Sequence, residues 1–142
     1  MVKCFSDPSL PGTVIQHKAI KNLPPVIILK DNQALLHLHS KDFSFIEGNA
    51  ISQLYHLLAE KSITANLIQT GAVILMVCTD DREDKVNQLA VAAAAIFGVQ
   101  VEKQLSLLTI RHYTPKAVAE MTEGKNIVLQ QQSGQTVQFL LR

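Results

Sequence analysis

Residues 65–77, Ala-Asn-Leu-Ile-Gln-Thr-Gly-Ala-Val-Ile-Leu-Met-Val, constrain this chain more than any other stretch. They read as two short apolar strands meeting at Thr70-Gly71, where glycine frees the backbone to turn. One helical pattern precedes them and another follows. A shorter copy of the plan recurs near the C-terminus, where Asn126–Gln132 and Gln135–Leu141 meet at Ser133-Gly134. A duplicated strand–helix–strand plan of this kind builds binding modules and is not by itself an enzyme.

The flanking residues supply the rest of the pattern. Val26–Lys30 reads as a strand after the extended Leu23-Pro24-Pro25, and Asp31-Asn32 reads as a turn. Ala34–Ser40 alternates: Ala34, Leu36 and Leu38 point one way, Leu35, His37 and His39 the other. A helix follows the loop from Lys41 to about Glu47. Its start is signalled by Ser44 and Glu47 at capping-box spacing or by Asn49, and its apolar stripe is Ile51, Leu54, Tyr55, Leu57 and Leu58. After strands at Ser62–Thr70 and Val73–Thr79, a second helix opens at Asp80-Asp81. Its stripe is Val86, Leu89, Ala90, Ala93, Ile96 and Phe97, with Gly98 as its C-terminal cap. Val99–Lys103 is the next strand.

The order from residue 34 is strand, helix, strand, strand, helix, strand, so the expected class is α+β with a ferredoxin-like βαββαβ unit. The plan then restarts. Leu107–His112 is a strand and Pro115–Glu123 a short helix with Thr114 as N-cap and Gly124 as stop. Two strands close the chain. This second, incomplete unit lacks a closing helix and leaves a sheet edge for Val26–Lys30 or a partner subunit to cover. The segments are leading strands and linker (1–30), a first unit (31–104) and a partial second unit (105–142). Thr13-Val14-Ile15 reads as a further short strand.

Composition narrows the function. The net charge of +1 implies no broad attraction to nucleic acid or acidic membranes. Cys4 and Cys78 form no CxxC, and Cys78 sits in an apolar run, as a buried thiol in a reducing cytoplasm would. The N-terminal residues show no apolar run of a secretory signal, so none is expected, and the apolar runs are too short or too alanine-rich to span a bilayer. His37 and His39 share a face without a third ligand at useful spacing, so no metal site is expected. No catalytic grouping with interpretable spacing is present. The aromatic residues that would stack bases on an RRM sheet are absent from the central strands.

The ordered series Pro11-Gly12-Thr13-Val14-Ile15, Val26–Lys30, Leu36-His37-Leu38-His39-Ser40 and Ile63–Thr70 resembles the C-terminal regulatory half of aspartokinase. That resemblance implies two ACT modules following the end of a kinase domain, in a homodimer or larger assembly. The kinase half, with its Lys-Phe-Gly-Gly-type nucleotide segment, is missing from these residues. They would therefore be a regulatory fragment without cofactor, ATP and Mg belonging to the kinase domain. The implied effector is an amino acid, lysine or threonine.

The resemblance also implies the effector site. Its loop part is Ser40, Phe45, Ile46, Glu47, Gly48, Asn49 and Ala50. The strand part, from a neighbouring module, is Thr64, Ala65, Asn66, Gln69 and Thr70. Lysine-sensing relatives often carry Asp at the position of Asn66 and Ser-Glu at Gly71-Ala72, and both carboxylates are lost here. The alternative reading is a stand-alone ACT-type binding or dimerisation module with no kinase.

Overall fold

The computed structural model describes residues 2–13 and 23–142. The strands are β1 (Val26–His39), β2 (Ala65–Thr70), β3 (Ile74–Asp80), β4 (Gly98–Arg111), β5 (Ile127–Ser133) and β6 (Thr136–Leu141). The helices are α1 (Gly48–Glu60), α2 (Glu83–Ala93) and α3 (Pro115–Thr122). All strands join one antiparallel sheet in the order β2-β3-β1-β4-β6-β5. This is an α+β fold of two ACT-like, ferredoxin-type units sharing a curled sheet.

Two long strands make the sheet continuous. Gln33–His39 of β1 pairs with β3 on one side and with β4 on the other. The leading half, Val26–Lys30, pairs with Leu107–Arg111 of β4 and closes the edge of the second unit. The expected turn at Asp31-Asn32 is instead an irregularity inside one strand, with Asn32 at φ 53. Backbone pairing to β4 before and after it keeps the chain extended, so the turn residues are absorbed as a bulge.

The register exposes an internal two-fold. Leu35 faces Cys78 on one side and Glu102 on the other. Leu107 occupies the same place in the second unit, facing Leu140 and Lys30. The bulge that sets Asn66 out of register between Ala65 and Leu67 recurs at Val128 between Ile127 and Leu129. Two ion pairs are related by the same operation with their charges exchanged: Lys30–Asp80 at 2.7 Å and Arg142–Glu102 at 2.6 Å.

Alternation along the strands divides the core. Ala34, Leu36, Leu38, Leu75 and Val77 point toward Leu54 and Leu58 of α1 and Val86, Leu89 and Ala93 of α2. Leu108, Ile110, Val137 and Phe139 pack with Val118 and Met121 of α3. The opposite face buries Leu35, Leu67, Cys78, Leu107, Leu129 and Leu140. The second unit has only α3 over its helical face among the described residues. Ile27 and Leu29 are therefore 45% and 49% exposed, whereas their counterparts Val99 and Val101 pack into the first core.

Several local readings change. Tyr55 is exposed and not part of the α1 stripe. Glu47 is the N-cap of α1, without a side-chain cap bond; Ser44 bonds within the loop, and Asn49 lies inside the helix. Arg82, not Asp80 or Asp81, precedes α2, because Asp80 is held in β3. Gly98 does not cap α2, which ends at Ala93; it opens β4 beneath the His39 ring, and a Cβ there would press on His39 Nε2. Gly71 does not use positive φ, whereas Gly134 does, at 54°. Thr114 caps α3 as expected, its hydroxyl accepting from Ala117 N at 3.2 Å. Thr13 forms an isolated bridge with Val2; Val14 and Ile15 lie outside the described residues.

Candidate functional site

The loop between β1 and α1 is organised by one carboxylate. Asp42 accepts hydrogen bonds from the hydroxyls of Ser40 (2.7 Å) and Ser44 (2.6 Å) and from the Ser44 backbone N–H (3.1 Å). These bonds, the Ser44 hydroxyl first, hold its carboxyl well below the usual carboxylate range. The clamp folds the loop tightly enough to set Phe43 at φ 60, a conformation phenylalanine seldom adopts. The Phe43 and Phe45 side chains project outward, 86% and 75% exposed. Lys41 turns the other way, its ammonium donating to the carbonyls of Ala94 (2.6 Å) and Ala95 (3.2 Å) past the end of α2. A cation at a helix C-terminus meets unpaired carbonyls and the negative end of the dipole.

A cleft of about 520 Å³ opens between this loop, the first turn of α1 and the segment after α2. Six of the seven loop residues expected at the site, Ser40, Phe45, Ile46, Glu47, Asn49 and Ala50, line the cleft, and the seventh, Gly48, begins α1 between them. Lys41, Asp42, Gln53, Ile96 and Phe97 complete the lining. With no side chain capping α1, its first-turn N–H groups stay available to an anion. Glu47 supplies a carboxylate and Lys41 a positive charge. An amino acid's two α-groups need this mixture of donors and acceptors.

The strand residues divide. Gln69 and Thr70 stand at the end of β2 nearest the loop, since Thr70 pairs with Leu75 and His39 with Ile74. The buried Gln69 Oε1 has no hydrogen-bond partner, and Gln131, its counterpart in the second unit, shows the same feature. Thr64, Ala65 and Asn66 lie at the far end of β2, roughly 13–20 Å from Thr70 at the rise of a strand. The structure does not bring them to the loop of the same chain. Contact between the two sets requires a neighbouring module. Thr64 lines a separate cavity of about 50 Å³ and accepts a bond from the Thr79 hydroxyl at 3.0 Å.

Asn66 is already engaged. Its Nδ2 donates to Gln33 Oε1 (2.7 Å) and Asp80 Oδ1 (2.8 Å), and its Oδ1 accepts from Lys30 (3.0 Å). Gln33, 1% exposed, also donates to Asp80 at 3.1 Å. The Lys30 ammonium first, then Asn66 and Gln33, lower the Asp80 carboxyl to about 2. The bulges at Asn32 and Asn66 turn these side chains toward one another. Sequence spacing could not find this group, because its members come from three strands. Asp42 had a local signal, the Ser-x-Asp-x-Ser spacing of 40–44.

No cluster of metal-ligating side chains exists among the described residues, and no described helix is long and apolar enough to cross a membrane. Fold and loop cleft together define a tandem of ACT-like units with a cleft at the β1–α1 loop. The chain matches no family model and no curated protein. Among solved structures it is similar to Clostridium acetobutylicum aspartate kinase, an allosteric enzyme (TM-score 0.77, 16% identity, 96% of this chain and 36% of that one). It is similar to E. coli aspartokinase III bound to lysine and aspartate in the T-state (0.70, 25% identity, 95% of this chain and 33% of that one). It also matches a domain of Porphyromonas gingivalis W83 assigned as the C-terminal regulatory domain of aspartate kinase (0.72, 14% identity, 85% and 88%). The chain thus spans about a third of the two whole kinases. Its fold is that of aspartate kinase regulatory domains.

Proposed function

We propose that this chain is the amino-acid-sensing regulatory region of an aspartate kinase, the enzyme that phosphorylates aspartate with ATP in lysine, threonine and methionine biosynthesis. The region itself does no chemistry; ATP and Mg belong to the kinase domain. The observation that carries the reading is the polar cleft at the β1–α1 loop, on a fold shared over 95% of the chain with a lysine-bound aspartokinase. The effector's carboxylate meets the uncapped start of α1 and its ammonium meets Glu47. Gln69, Thr70 and the Thr64–Asn66 segment come from an adjoining module in a cytoplasmic homodimer or larger assembly. Lysine and threonine are the first effectors to test. Binding that prefers one arrangement of paired modules shifts the attached kinase, typically by ~1–3 kcal/mol of coupling.

The test is a thermal-shift screen of the chain against all twenty amino acids, since a ligand that prefers the folded state must raise the melting temperature. A saturable rise with at least one amino acid is expected, lost in Glu47→Ala. Silence with every one would favour the alternative, a dimerisation module without a sensing role.

A further inference from the structure

We infer that the loop site takes an α-amino acid with an uncharged, apolar side chain, and that this side chain seats in a second cleft beside the first. The inference rests on the proposed sensing role and narrows its ligand.

A cleft of about 610 Å³ is lined by His39, Phe43, Val73, Ile74 and Gly98, and it shares Ser40 and Lys41 with the polar cleft. Ligand pockets pair an apolar wall with a few placed polar groups, and here the two parts adjoin at Ser40 and Lys41. No acidic residue lines the second cleft. A lysine side chain placed there would lie along Phe43, Val73 and Ile74 and find no carboxylate in this chain's own lining, so its ammonium would gain no ion pair from these residues.

The ammonium receptor at the far end of β2 is taken. Asp80 and Asn66 offer a carboxylate and an amide oxygen, and Lys30 of the same chain fills both, at 2.7 and 3.0 Å. Its place in β1, held by pairing to Leu107, keeps it there. A free lysine would have to displace a tethered one. An aliphatic side chain makes no such demand and gains by covering the Phe43 ring, Val73 and Ile74.

Norleucine and lysine form a matched pair for the test, since their stems have equal length and only lysine ends in an ammonium. Calorimetric titration of the whole chain should give norleucine a Kd at least tenfold below that of lysine. Phe43→Ser should weaken norleucine about tenfold and leave alanine, whose side chain does not reach the second cleft, within twofold. Phe43 is 86% exposed, so this variant should fold; Ile74→Ser serves as the second probe. Lysine binding as tightly as norleucine overturns the inference, as does norleucine binding indifferent to both substitutions. Failure of every amino acid to bind is a different result: it removes the sensing role itself and the inference with it.

Discussion

Asn66→Ala should destabilise the fold whether or not any effector binds. The substitution deletes three hydrogen bonds, but they differ in weight. Lys30 and Asp80 are 46% and 39% exposed, so water replaces what they lose and their share is small. Gln33 is 1% exposed. Without Asn66 its Oε1 keeps only the Cys78 thiol at 3.5 Å, a weak donor. Stranding a buried acceptor costs ~1–3 kcal/mol, which gives an expected loss of ~2 kcal/mol. For a urea m-value of about 2 kcal/mol/M, the unfolding midpoint should fall by about 1 M, read by circular dichroism. In a Gln33→Leu background the stranded acceptor no longer exists, and the same substitution should cost less than ~0.5 kcal/mol. Equal costs in both backgrounds, or an unmoved midpoint in the parent, would refute the assignment of Asn66 to an internal network.

Other side chains carry their own expected outcomes. Asp80 has a folded-state carboxyl lowered to about 2 from its ordinary 3.8, so its stabilising effect is present above pH 3.8 and fades as the pH falls through 2. The stability gap between wild type and Asp80→Asn, followed by urea titration, should therefore narrow across that window. Cys78 is fully buried and burial pushes its thiol up to about 12, while exposed Cys4 is lowered by hydrogen bonding to Ser6. A thiol reagent at neutral pH should label Cys4 quickly and Cys78 only on unfolding. Leu29→Lys should change stability by less than ~0.5 kcal/mol, since Leu29 is half exposed. Its counterpart Val101→Lys, which drives a charge toward the first core, should cost ~2 kcal/mol or more by urea unfolding.

Much of the architecture was legible because it is written in local period. Alternation at Ala34–Ser40 and helical spacing at Ile51, Leu54 and Leu58 each report a face that is buried, and the faces match. Thr114, Pro115 and Gly124 mark α3 because capping acts within a few residues. Failures came where a distant strand decides. Asp31-Asn32 favours a turn locally, yet pairing to β4 on both sides outweighs that preference. Gly98 looks like a helix cap, but it opens β4 beneath the His39 ring, which a Cβ at this position would displace.

The candidate site divides by the same logic. The loop residues Ser40 to Ala50 are near in sequence, and most converge on one cleft. Asn66 instead meets Lys30, Gln33 and Asp80, a grouping set by strand order and two bulges. No spacing rule encodes that arrangement. The exchange of charge between Lys30–Asp80 and Glu102–Arg142 was equally hidden until the register related the two pairs.

NMR mapping of the backbone amides during titration with the best-binding amino acid goes straight to where the ligand sits. Perturbations concentrated at Ser40–Ala50 and joined by Gln69 and Thr70 of the adjoining module, with Lys30 and Asp80 unmoved, are the expected result. Shifts confined to Lys30, Asn66 and Asp80, with a silent β1–α1 loop, would contradict the account.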